Sequence, residues 1–171
     1  YFSPLADTSL PDAGFVYLPG GYPELYLAAL SANRQMLQSI RRYVESGGKL
    51  LAECGGMMYL CDEIRDKNGD VYPMAGVLHQ SATMENMKLR LGYRTLLYNE
   101  TRLKGHEFHY SRLVEQQNPL PSCAVAYTAK GVETDTPLYH YKNVWAGYTH
   151  LYWADPVGNE WFTKFVIDGN T

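Results

Sequence analysis

Nowhere in this sequence does an apolar run approach the ~18–20 residues that a bilayer-crossing helix requires. It also lacks a basic stripe, and its net charge is −3, so nothing in it supports binding to nucleic acid or to a membrane surface. Tyr1-Phe-Ser-Pro-Leu5 has neither a basic segment nor an apolar core, so it does not read as a signal peptide. Cysteine is scarce and odd in number: Cys54, Cys61 and Cys123, with no CxxC pair. That fits free thiols in a reducing cytoplasm better than a disulfide framework. No phosphate-cradling GxxxxGK[ST] loop is present, and there is no internal repeat, low-complexity tract or interdomain linker. What remains is a chain of 171 residues, 46% hydrophobic and 19% charged, long enough for one domain with a proper core.

The first third alternates regularly. Phe15–Leu18 is a short apolar run closed by Pro19-Gly20-Gly21, a strand ending in a loop. Pro23 and Glu24 suit the first turn of a helix whose apolar residues are Leu25, Leu27, Ala28, Ala29 and Leu30. From Asn33, Met36, Leu37, Ile40, Tyr43 and Val44 recur at helical spacing until Gly47-Gly48 stops them. Lys49–Ala52 is a second strand, leading to Cys54 and then to the helix-forming Met57-Met58-Tyr59-Leu60. Strand, helix, strand, helix predicts a mostly parallel sheet with helices on both faces.

The middle reads differently. Residues 88–98, 105–113 and 123–128 look like added antiparallel strands, rich in Tyr, Leu, Val and Thr and punctuated by Gly and Pro. Val144–Thr149 is a further strand that delivers His150. Asn159 is placed to cap a terminal helix that buries Trp161, Phe162, Phe165 and Val166.

Chemistry concentrates where Cys54 meets Gly55-Gly56. A thiol on a strand-to-helix turn stands at the carboxyl edge of the sheet, where the positive end of a helix favours thiolate over thiol. Two glycines suit a strained elbow with no room for Cβ atoms. A cysteine nucleophile also needs a base and donors for the developing oxyanion. The Gly55 amide is one candidate donor, and Gly20 or Gly21, ending the neighbouring strand at the same sheet edge, is the other. A lone Pro-Gly-Gly is otherwise an ordinary turn. Of five histidines, His150 leads as base because it follows an apolar strand, although a strand-end histidine alone is more often structural. In an extended segment His106, Phe108 and Tyr110 share one face, and Glu107, His109 and Ser111 the other. His106, Glu107 and His109 are therefore expected to form a substrate wall or an interface. A metal site is not expected, since a strand puts His106 and His109 on opposite faces. His79 and His140 read as solvated loop residues.

Together, Pro19-Gly-Gly-Tyr-Pro-Glu-Leu-Tyr26, Ala52-Glu-Cys-Gly-Gly-Met-Met-Tyr-Leu60, Gly105-His-Glu-Phe-His-Tyr-Ser111 and Tyr148-Thr-His-Leu151 resemble the C-terminal glutamine amidotransferase domain of cobyrinate (or hydrogenobyrinate) a,c-diamide synthase. The resemblance implies a class I glutamine amidotransferase-like, flavodoxin-like α/β fold. It also implies glutamine as substrate, Cys54 as nucleophile and His150 as the histidine that activates it. Ammonia would pass to an N-terminal ATP-dependent synthetase domain that amidates a corrinoid acid. No cofactor is then expected in this chain, ATP and Mg²⁺ belonging to that synthetase domain. Residues 1–171 would be the amidotransferase domain without its first strand–helix unit. Many class I amidotransferases carry a glutamate two residues after the histidine, where this chain has Tyr152; the cobyrinate branch is similar in lacking it, so a Cys–His dyad is expected, with or without another orienting group. A cysteine hydrolase of the DJ-1/PfpI type shares the elbow but does not explain Gly-His-Glu-Phe-His-Tyr-Ser or Gly-Gly-Tyr-Pro-Glu. A non-catalytic amidotransferase-like binding module does not explain an intact Cys54 and His150.

Overall fold

In the computed structural model, which describes residues 1–168, an irregular N-terminal segment leads into β1 (Phe15–Leu18). A 3₁₀ turn (Pro23–Leu25) precedes α1 (Leu27–Ala32), α2 (Arg34–Glu45), β2 (Lys49–Glu53) and α3 (Gly55–Leu60). Then come β3 (Glu63–Arg65), β4 (Val71–Pro73), β5 (Ser81–Thr83), β6 (Arg90–Tyr98), β7 (Thr101–His109) and β8 (Arg112–Leu113). The chain closes with β9 (Val125–Thr128), β10 (Glu133–Thr134), β11 (Leu138–Tyr141), β12 (Val144–Gly147), β13 (His150–Leu151) and α4 (Pro156–Asp168).

The central sheet has the order β1-β2-β12-β11, with β1, β2 and β12 parallel and β11 antiparallel at the edge. Its strands alternate cleanly. Val16, Leu18, Leu50, Ala52, Val144 and Ala146 face one core with Met36, Ile40 and Met57, while Phe15, Leu51 and Trp145 face another with Trp161 and Phe165. Helices therefore cover both faces, as the βαβα pattern requires. Asn33 caps α2 by accepting from the Met36 amide at 3.3 Å, and its Nδ2 pins the Pro4 and Asp7 carbonyls. Burying α2 residues such as Met36 and Ile40 contributes about 1.5–3 kcal/mol each.

The antiparallel additions form two further sheets. One has the order β10-β9-β6-β7-β13, the other β4-β3-β5-β8.

Three local expectations are corrected. The helix expected from Pro23 is broken, because Tyr26 leaves the helical region at φ −134° and separates a 3₁₀ turn from α1. The terminal helix starts at Pro156, not at Asn159. Asp155 takes the capping role there, accepting from the Val157 and Gly158 amides and from Lys104 Nζ at 2.7 Å. Finally, β12 does not carry His150. The Cys54 amide donates to Gly147 O at 2.8 Å, so pairing ends where β2 turns into α3. The chain then crosses through buried Tyr148 and Thr149 to the five-stranded sheet, where His150 pairs with His106 and Leu151 with Gly105. A Cβ on Gly105 would lie 2.3 Å from His150 O, so only glycine admits β13 this closely.

Candidate active site

Cys54 sits between β2 and α3 at φ +50°, ψ −114°. Few L residues adopt this conformation, and holding it costs about 1–3 kcal/mol. Backbone bonds on both sides fix it, from the Cys54 amide to Gly147 O and from the Met58 amide to Cys54 O at 3.1 Å. The glycines after it are required by contact. A Cβ on Gly56 would lie 2.3 Å from Leu18 O, and one on Gly55 would lie 2.5 Å from Gly21 O. The elbow thus rests directly on the loop that ends β1.

That loop brings Gly20 against the site. Gly20 and Gly21 have φ of +116° and +125°, and a Cβ on Gly20 would stand 2.9 Å from His150 Cε1 and 3.5 Å from Cys54 Cβ. The residues expected to act together are therefore together: Cys54, His150, Gly20, Gly21 and Gly55. As the first residue of α3, Gly55 has an amide without an intrahelical acceptor. Cys54 and Gly21 border a cleft of about 20 Å³, the room of a single water, walled by Tyr22, Phe108 and Tyr110. The thiol lies 3.8 Å from Phe108 O. Glu24 shares this cleft, and burial raises its carboxyl above the ordinary glutamate range.

His150 has two acidic neighbours. The Cys54 side chain first and the Glu53 carboxylate second push its imidazole up to about 10, against a smaller opposing effect of burial. Glu53 Oε2 lies 3.6 Å from His150 Nδ1, so Nε2 is the ring nitrogen left for the thiol. Glu53 is only 3% exposed; its Oε1 accepts from the Leu151 amide at 3.0 Å and its Oε2 from the Tyr17 hydroxyl at 2.7 Å. The open side of the His150 ring is covered by His106, with ring centroids 5.1 Å apart and planes 20° from parallel. Tyr152, two residues on, is 59% exposed. The sequence motif includes Glu53 but does not reveal it or Tyr17 as partners of His150, although one signal is present: an acid ending a strand that is buried on both faces.

The expected wall of His106, Glu107 and His109 is split. The two-face alternation holds, but only the His106 face is open; Glu107 and His109 point inward and are buried, so they form no exposed interface, although His109 lines the inner wall of the cleft beside Cys54. Glu107 Oε2 meets Arg94 Nη2 at 3.0 Å and His109 Nε2 at 3.8 Å. Burial opposes its charging, but His109, Thr136 and the Arg94 guanidinium outweigh that and hold the carboxyl below its ordinary range. His109 stacks on Tyr148 at 3.8 Å, and its Nδ1 faces Ser111 O at 2.9 Å. His140 is exposed, as expected, but lies in β11 and stacks on Trp145. Among the described residues no group of three or more His, Cys, Asp or Glu side chains has metal-binding geometry, and no helix is long and apolar enough to cross a membrane.

Residues 1–157 match the family model of the CobB/CobQ-like glutamine amidotransferase domain. The chain is 39% identical over 157 residues to hydrogenobyrinate a,c-diamide synthase of Pseudomonas aeruginosa, covering 89% of the chain and 34% of that relative. It is 39% identical over 160 residues to cobyrinate a,c-diamide synthase of Fusobacterium nucleatum (89% and 35%) and 40% identical over 164 residues to that of Picrophilus torridus (89% and 33%). The chain thus spans about a third of the length of the curated relatives it matches. In fold it is similar to a crystal structure of a glutamine amidotransferase, with a TM-score of 0.57 at 17% identity, covering 90% of this chain and 79% of the other.

Proposed function

Since the chain belongs to the CobB/CobQ-like glutamine amidotransferase domain family, we propose that it hydrolyses glutamine at Cys54 and supplies ammonia to an ATP-dependent synthetase domain. The acceptors in this reading are the a and c carboxylates of cobyrinate or hydrogenobyrinate, the acids named in its relatives. ATP and Mg²⁺ enter with the synthetase domain, and no step below uses them.

One observation carries the reading: a strained thiol elbow, the His150 ring and the Gly20–Gly21 loop meet within contact distance at one sheet edge. The chemistry follows. The Cys54 thiolate attacks the side-chain amide carbon of glutamine, and the amides of Gly55 and of Gly20 or Gly21 receive the negative charge that gathers on its oxygen. The carbon–nitrogen bond breaks as the His150 imidazolium gives its proton to the leaving nitrogen, which departs as ammonia. Neutral His150 then takes a proton from water. The hydroxide formed attacks the thioester, and glutamate leaves as the thiolate is restored. Glu24, on the cleft wall, meets the α-ammonium of the bound glutamine.

The test is isotopic and kinetic. Incubation with radiolabelled glutamine and acid quenching should trap a glutamyl thioester on Cys54. In the assembled synthetase, Cys54→Ala should abolish glutamine-dependent amidation while ammonia-dependent amidation persists. Loss of both activities in a folded Cys54→Ala protein, or label on no cysteine, overturns the reading.

A further inference from the structure

Resting on that assignment of Cys54 and His150, we propose that Glu53 is a positioning residue that orients the His150 ring through Nδ1 and is held in place by Tyr17. Glu53 ends a strand in which the three residues before it, Leu50, Leu51 and Ala52, are apolar and buried. A carboxylate there is costly unless its oxygens are satisfied. Each group presented to them is a donor. Oε1 receives the Leu151 amide, while Oε2 receives the Tyr17 hydroxyl and faces His150 Nδ1. The Tyr17 oxygen is in turn hydrogen-bonded to Trp153, and an indole can only donate. The phenolic proton is therefore directed at Glu53.

The contacts fall on both parts of residues 150–151. Glu53 holds the backbone through the Leu151 amide and the ring through Nδ1. With only two residues, β13 has little pairing of its own to fix the imidazole, so the carboxylate supplies what the sheet does not. A proton kept on Nδ1 fixes the tautomer in which Nε2 faces the thiol, accepts its proton and later delivers it to the leaving nitrogen. The other groups facing the ring are the Cys54 side chain, His106 on its open side and the apposed Gly20.

The experiment uses the full chain with Glu53→Gln, Glu53→Asp and Tyr17→Phe. It measures glutamine KM and kcat, thioester trapping, and the titration of the His150 ring by NMR. Glu53→Gln should lower kcat by about 10²–10⁴-fold with KM changed less than about twofold, as loss of a charged partner behind a catalytic histidine does. Without the carboxylate, His150 should lose its proton at lower pH than in the wild type, a shift that mere loss of stability would not produce. Glu53→Asp should recover part of kcat. Wild-type kcat and an unmoved His150 titration in folded Glu53→Gln overturn the proposal. If Glu53→Gln does not fold, Tyr17→Phe decides, since it removes one hydroxyl from a partly exposed ring. It should lower kcat about 5- to 20-fold at constant KM, and an unchanged kcat there overturns the proposal. Failure of the wild type to form the thioester overturns the assignment of Cys54 instead, and the His150 titration still reports on Glu53.

Discussion

Two glutamate–histidine pairs lie on either side of one strand pairing, and they do opposite things. Glu53 stands 3.6 Å from His150, and Glu107 stands 3.8 Å from His109. In the first pair the histidine is a quarter exposed, a thiol lies on its other side, and the imidazole is raised to about 10. In the second, both partners are sealed, Arg94 supplies the positive charge, and the carboxyl is lowered instead. Distance and residue type do not distinguish them. What differs is what else touches each histidine: a nucleophile and solvent for His150, a tyrosine face and the inner wall of the narrow cleft for His109. One pair is built to exchange a proton, the other to hold β6 and β7 together.

The comparison can be broken at either end. The largest effect belongs to Cys54→Ala, which should leave no measurable glutaminase activity and no labelled thioester. His150→Gln comes next, with kcat lower by about 10²–10⁴-fold in steady-state assays. Arg94→Met strands a buried carboxylate and should cost about 3–5 kcal/mol in urea unfolding, with kcat retained by the molecules that stay folded. A fall in kcat without a fall in stability would show that the two pairs are not separate devices. Glu24→Gln should raise the glutamine KM by about 10- to 100-fold and spare kcat, the loss of one charge-assisted contact. The smallest effect is a pH dependence of stability. The raised folded-state pKa of His150 gives a contribution fully present below the unfolded value of about 6.5 and lost as pH rises through about 10. The Tm difference between wild type and His150→Gln, followed by calorimetry, should therefore be widest in mild acid and close in alkali.

The difference between these pairs also marks what sequence could and could not supply. The elbow was legible because its causes are local: a short apolar strand, a thiol, then glycines that the β1 loop crowds. The two faces of residues 105–111 were legible because a strand alternates with a period of two. Which face would be open was not legible, since that depends on β13 and on Tyr148, distant in sequence. The break at Tyr26 and the start of α4 at Pro156 turn on single backbone choices that apolar spacing does not encode. Glu53 was read as part of a motif, not as a partner of His150. Its contacts come from Tyr17, Leu151 and Trp153, three segments that meet only in the finished fold.

The crossing of Tyr148 and Thr149 from one sheet to the other also bears on the order of folding. Cys54 takes its strained geometry from parallel pairing of β2 with β12, a non-local contact that closes most of the chain into a loop. His150 is positioned only when β13 reaches β7 in a separate sheet. Contacts so distant in sequence form slowly. A refolding chain should therefore recover helical signal first and the reactivity of its thiol last.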